Sequence, residues 1–233
     1  MLLLAADTSG KHGSVALARA QGQALQTLEV VPLAGGTFSA QLVPQIADLL
    51  ARHGVSKQQL DGFVVASGPG SFTGLRVGLA AIKGLAEILH KPIAAVSMLE
   101  VLALAAQIDG LVVAALDAGR GEAYTGEYAV GAGNAQQENE SLLNEEEFVA
   151  LARGRRATVA APDPLILGWA QKHGLDAAQV EYPRSDALAR VGWKKLLAGK
   201  AVEPDELEAN YIRRSDAEIF AKQESGVRSR ESG

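Results

Sequence analysis

Apolar and polar positions change period several times along the chain, and those changes mark its elements. Leu2 to Ala6 is an unbroken apolar run, the pattern of a strand covered on both faces. Asp7-Thr8-Ser9-Gly10 carries turn chemistry. Ser14 to Arg19 alternates loosely around Val15 and Leu17 and predicts a returning strand, and Gln23 to Val31 predicts a third. Three consecutive strands on short turns make an antiparallel meander. The period then becomes helical, with Leu42, Ile46, Leu49 and Leu50 on one face and Gly54 as a stop. Pro44 falls inside that stretch, so the helix starts near Gln41 or bends. Gly62 to Ser67 predicts a strand. Ser71 to His90 predicts a long helix with Phe72, Leu75, Leu79, Ile82, Ala86 and Leu89 on one side. Beyond Pro92, Ile93 to Val96 predicts a strand and Leu99 to Gln107 a helix.

The second half opens as the first does. Leu111 to Leu116 is apolar and ends at Asp117, Gly119 and Gly121 lie in a turn, and Glu122 to Tyr128 alternates. Gly131 to Glu140 is polar and reads as a loop or hairpin end. Asn144 and Glu147 have capping-box spacing for a helix through Arg153. Thr158 to Ala161 predicts a strand, and Pro164 to His173 and Asp186 to Ala198 predict helices with a short strand between them. The order of the first half, β-β-β-α-β-α-β-α, is ribonuclease-H-like with a mixed sheet. Its recurrence predicts an α/β, actin-like ATPase (ASKHA) architecture of two tandem ribonuclease-H-like domains, 1–104 and 105–220. Residues 221–233 are polar and aperiodic, and predict a flexible tail.

Composition narrows the function classes. Of 233 residues, 48% are hydrophobic and 21% charged, enough apolar surface for a packed core. The chain contains no cysteine, which removes disulfides, thiolate metal sites and cysteine nucleophiles. No apolar run approaches the ~20 residues of a membrane span, and the apolar N-terminus lacks a basic leader and is cut short by Asp7, so the expected location is cytoplasmic. Net charge is −5. Proteins that bind nucleic acid alone usually present a basic face, so any contact with RNA is expected through a partner.

Gly68-Pro69-Gly70-Ser71-Phe72-Thr73-Gly74 lies between a strand and a helix, where backbone N–H groups can hold a phosphate. It is no Walker loop, because Leu75-Arg76 follows Gly74. It is no dinucleotide fingerprint, because Thr73 stands where glycine is needed. Ser71 as a helix N-cap is the simpler reading. Gly74 and Gly78 share a helix face, and each interior glycine costs about 1 kcal/mol relative to alanine. Something therefore packs very close to that face: the chain's own sheet, the Leu42 helix, or a helix of another subunit. Asp7 and Asp117 could hold a magnesium–nucleotide between two lobes, or lock their turns by Asx bonding. The lysines a triphosphate needs are not evident. His12, His53, His90 and His173 are scattered without metal-ligand spacing, and no acid–base pair stands at usable spacing. The chain reads as catalytically bare and without a metal site.

Several segments resemble the bacterial TsaB family, the threonylcarbamoyladenosine biosynthesis proteins. They are Leu4-Ala5-Ala6-Asp7-Thr8-Ser9 with Ser14-Val15-Ala16-Leu17, the run from Gly68 through Gly78 to Lys83-Gly84-Leu85-Ala86, Val96-Ser97-Met98-Leu99-Glu100, Asp117-Ala118-Gly119-Arg120-Gly121-Glu122-Ala123-Tyr124, and Asn210-Tyr211-Ile212-Arg213-Arg214. The chain departs from the family at Phe38-Ser39-Ala40, where His-Ser-Glu is usual, and in the turn after Asp117. The resemblance implies the actin-like fold and a part in placing threonylcarbamoyl on an adenosine next to the tRNA anticodon. It implies a non-catalytic subunit that pairs with the paralogous TsaD through a helical bundle. TsaD carries the metal-binding histidines and transfers the group, and the ATPase TsaE cycles the complex. It allows a homodimer when the chain stands alone. No cofactor is implied for this chain, and ATP and magnesium are implied only for the complex. On that footing the expected partner face is Leu42, Ile46, Gly74, Leu75, Gly78, Leu79 and Ile82. The alternative is a phosphotransferase of the same fold, with nucleotide at Asp7, Gly68, Gly70, Ser71 and Asp117.

Overall fold

A computed structural model describes residues 1–212. The tail expected over 221–233 lies outside the described residues, as do Arg213 and Arg214. The chain forms two five-stranded sheets with the same connectivity. In the first, β1 (Leu2–Asp7), β2 (His12–Gln21) and β3 (Ala24–Ala34) form the antiparallel meander, and β4 (Gly62–Gly68) and β5 (Ile93–Ser97) extend it in parallel on the other side of β1. The spatial order is β3-β2-β1-β4-β5. The second sheet repeats it with β6 (Gly110–Gly119), β7 (Glu122–Gly131), β8 (Asn134–Asn144), β9 (Thr158–Ala161) and β10 (Ala177–Gln179), in the order β10-β9-β6-β7-β8. Each is a ribonuclease-H-like sheet, and their tandem repetition is the actin-like architecture expected from the sequence.

Among the described residues, six α-helices complete five layers. Helices α1 (Phe38–Arg52) and α2 (Phe72–Leu89) cover the outer face of the first sheet. Helices α4 (Glu145–Arg155) and α5 (Pro164–Lys172) cover the outer face of the second. Between the sheets lie α3 (Met98–Ala105) and α6 (Ser185–Leu197), in one apolar cluster that runs from Ala5, Ala16 and Val64 to Val112, Tyr128 and Ala160. The two helices are exchanged: α3 follows the first sheet and packs on β6 and β7, whereas α6 follows the second and packs on β1 and β2. Alanines on β1 and β2 let α6 approach, and a Cβ at Gly192 would lie 2.3 Å from Val64 Cγ1. Lys195 on α6 pairs with Glu100 on α3 at 2.7 Å.

Two local expectations change. The polar stretch from 131 to 140 is mostly strand: β8 pairs with β7 along its length, and its exposed residues are polar because it is the edge of the sheet. Helix α1 begins at Phe38, ahead of Gln41, and carries the exposed Pro44 in its interior. The capping box is present, with the Asn144 side chain accepting from Glu147 N–H and Glu147 accepting from Asn144 N–H, both at 3.0 Å.

Candidate functional site

The carboxyl ends of β1, β4 and β6 converge on a cleft of about 840 Å³ between the two halves. This is where open α/β sheets place ligands. Asp7, Gly70, Ser71 and Asp117 line it together, as the nucleotide reading required. Gly68 does not: it is buried beneath Asn210, whose carbonyl oxygen would stand 2.8 Å from an added Cβ. Three further lining residues, Asp163, Tyr182 and Arg184, come from loops that no spacing pattern links to Asp7. Asp163 accepts from the Asp117 N–H at 2.8 Å and from the Tyr182 hydroxyl at 2.7 Å.

The chain uses on itself much of what a phosphate would need. Ser71 N–H donates to Ser9 O at 2.7 Å, Gly74 N–H donates to Ser71 Oγ at 3.2 Å, and Pro69 has no N–H. Ser71 is thus the N-cap of α2. Asp7 Oδ1 accepts from both the N–H and the hydroxyl of Ser9, at 2.8 and 2.6 Å, which locks the turn after β1. Burial pushes the Asp7 carboxyl up, against the pull of the Ser9 bonds. Asp117 accepts from Gly119 N–H at 2.7 Å in the same manner. Lys11, His12 and Arg184 line the cleft as well. The two aspartates act as turn locks, and the glycine turn acts as a packing device.

That packing settles what lies against Gly74 and Gly78. A Cβ at Gly74 would sit 2.1 Å from Thr8 O, and one at Gly78 would sit 2.4 Å from Thr8 Oγ1. Thr8 Oγ1 in turn donates to Gly74 O at 2.7 Å. The close neighbour is the chain's own β1–β2 turn. The partner face expected from the sequence is corrected accordingly. Leu42, Ile46, Gly74, Leu75, Gly78, Leu79 and Ile82 are all buried within the first domain. They point to the sheet because they form the strongest helical apolar stripe, and that stripe covers the core.

The other face of the same two helices is apolar as well. On α1 it carries Ala40, Val43, Ala47 and Ala51, all exposed; on α2 it carries Val77, Ala80, Ala81, Gly84 and Ile88, exposed or half-buried. Val43 is 59% and Ile88 73% exposed. Only Arg76, Lys83 and Glu87 are charged on α2. A helix that is apolar on both sides is ordinarily covered on both sides. The signal was present in the sequence as a second stripe of small residues, out of phase with the first.

Comparison with known proteins bears on what this face and cleft are for. A family model described as TsaD, tRNA N6-adenosine threonylcarbamoyltransferase, matches residues 30–184. The Bacillus subtilis tRNA threonylcarbamoyladenosine biosynthesis protein TsaB is 33% identical over 94% of this chain and 96% of its own length. The chain belongs to the TsaB family. The Escherichia coli TsaB is 30% identical over 93% of this chain and 96% of its own. Among solved structures, an uncharacterized Pseudomonas aeruginosa protein with similarity to peptidase YeaZ superposes with a TM-score of 0.74 at 30% identity, covering 91% of this chain and 99% of that one. The Bacillus subtilis and Escherichia coli proteins align along nearly the whole chain, across the segments that form both sheets.

Proposed function

We propose that this chain acts in tRNA threonylcarbamoyladenosine biosynthesis as a non-catalytic subunit that docks on TsaD through the outer face of α1 and α2. The observation that carries the reading is that face, on which Ala40, Val43, Ala47, Ala51, Ala80 and Ile88 are exposed among the described residues. Family membership gives the process, and the face supports this reading of the part played in it. The small side chains at Ala80, Ala81 and Gly84 suit a helix-to-helix approach, in which two pairs of helices form a bundle. Alone, the same face would pair two copies of the chain, and TsaD would displace one of them. Transfer chemistry belongs to TsaD and nucleotide cycling to TsaE. RNA meets this acidic chain only through the complex, in the cytoplasm. Among the described residues no helix is long and apolar enough to cross a membrane.

Support for the non-catalytic part comes from the side chains themselves. His53 contacts Glu29 at 2.8 Å and His173 contacts Glu145 at 2.9 Å, on different domains. Asp7 and Asp117 are bonded into their turns. The test is reconstitution of tRNA modification with TsaD, TsaE and the enzyme that makes threonylcarbamoyl-adenylate. Omitting the chain should abolish product. Ala80→Arg should abolish it too, whereas Asp7→Asn and Asp117→Asn should support it. Loss of product with the aspartate variants, together with a thermal shift on adding magnesium–ATP, would favour the phosphotransferase alternative.

A further inference from the structure

Two segments far apart in sequence, the glycine turn before α2 and the last described residues, meet in space. Asn210 N–H donates to Ser67 O at 2.7 Å, and the Tyr211 ring lies 5.0 Å from Phe72. Arg76 stacks on Phe72 with its guanidinium carbon 3.8 Å from the ring centre, and its Nε donates to the Tyr211 hydroxyl at 3.1 Å. This cluster sits at the N-terminal end of α2, one turn before Ala80. The segment that builds it is held from the other domain. The Asn210 side-chain amide donates to Glu140 Oε2, on β8 of the second sheet. Glu140 Oε1 accepts from Ser97 Oγ at 2.5 Å and from the Tyr128 hydroxyl. One half-buried carboxylate thus gathers donors from the end of β5, from β7 and from the C-terminal segment, with no cation among the described residues beside it. Burial and the Glu140 charge push the Tyr128 hydroxyl up, so it remains a donor at neutral pH.

We propose that Glu140 and Asn210 form a clasp between the domains that positions the N-terminal end of the α2 docking face. Glu140 touches no partner; it acts through Asn210, Tyr211 and Arg76. The inference rests on the docking reading above and adds that the second domain controls the shape of the face. Three donors among the described residues hold the half-buried Glu140 carboxylate, and it keeps its place only while they stay with it. Opening of the clasp loosens Tyr211 from Phe72 and Arg76 and leaves the arginine side chain held by the Phe72 ring alone.

The experiment measures the affinity of the full chain for TsaD by calorimetry, with hydrogen exchange over residues 67–76. Asn210→Asp sets two carboxylates face to face and should weaken binding about tenfold, the scale of one hydrogen bond to a charged group. It should also speed exchange in that segment. Combining it with Glu140→Gln exchanges donor and acceptor, so the double variant should return both readings toward wild type. Undiminished affinity in Asn210→Asp overturns the clasp, and so does a loss that the double variant fails to repair. Should Asn210→Asp fold poorly, Asn210→Ala takes its place, and unchanged affinity there overturns the clasp equally. If wild type binds no TsaD, or Ala80→Arg binds as well as wild type, it is the docking reading that falls.

Discussion

Three glycines on α2 look alike in sequence and differ in what they face. Gly74 and Gly78 lie against Thr8, whereas a Cβ at Gly84 would meet nothing within 4 Å. Gly78→Leu therefore clashes with the chain's own turn and should destabilise the isolated protein, as overpacking does, by about 1–3 kcal/mol or more. Gly84→Ala should instead raise the melting midpoint by about 2–4 °C through helix propensity, while weakening TsaD binding if a helix lies there. Thermal unfolding of the two variants checks both signs. Glycine spacing in the sequence made a close approach legible but could not say whose backbone approached. The Asp7 turn is a second case. Its folded-state carboxyl is raised, so the folded chain holds a proton more readily than the unfolded chain, and this group's contribution to stability falls as pH rises. Asn keeps an oxygen for both Ser9 donors without the buried charge. Asp7→Asn should therefore melt higher than wild type at neutral pH, and the gap should close as pH falls through the folded-state pKa. A midpoint lowered at neutral pH would mean that the charge itself holds the turn.

Helix α2 presents one isoleucine to each side. Ile82 is fully buried and Ile88 is 73% exposed. Ile82→Ala should cost about 2–5 kcal/mol of stability, whereas Ile88→Ala should change it by less than about 0.5 kcal/mol and lower TsaD affinity instead. Denaturant unfolding alongside a binding titration separates the two effects. Helix positions were largely legible because their apolar stripes are strong. Which stripe met the core was harder, since both faces of α1 and α2 are apolar and hydrophobic periodicity ranks stripes without saying what covers them. Strand β8 escaped notice for the opposite reason. An edge strand with few buried positions carries almost no alternation, and its Gln, Glu and Asn residues read as loop.

At the scale of the molecule, the repeated Asp-plus-glycine turn after β1 and β6 exposed the duplication, and the two sheets carry the same order. The exchange of α3 and α6 between the sheets was not legible, because periodicity states that a helix has a buried face and not which sheet buries it. For the same reason Asp163 and Arg184 joined the cleft only in three dimensions: topology brings loop residues together that share no pattern. The exchange ties the two sheets into one apolar cluster, with Glu140 reaching the C-terminal segment at its edge. The outer face of α1 and α2 is the surface on which docking to TsaD depends. Light scattering after size exclusion tests it, on this chain mixed with TsaD from its own organism, for wild type and for Ala80→Arg with matched melting midpoints. Docking through that face predicts a heterocomplex for wild type and separate species for the variant. A complex that survives Ala80→Arg, or a wild type that ignores TsaD but binds magnesium–ATP tightly, would contradict it.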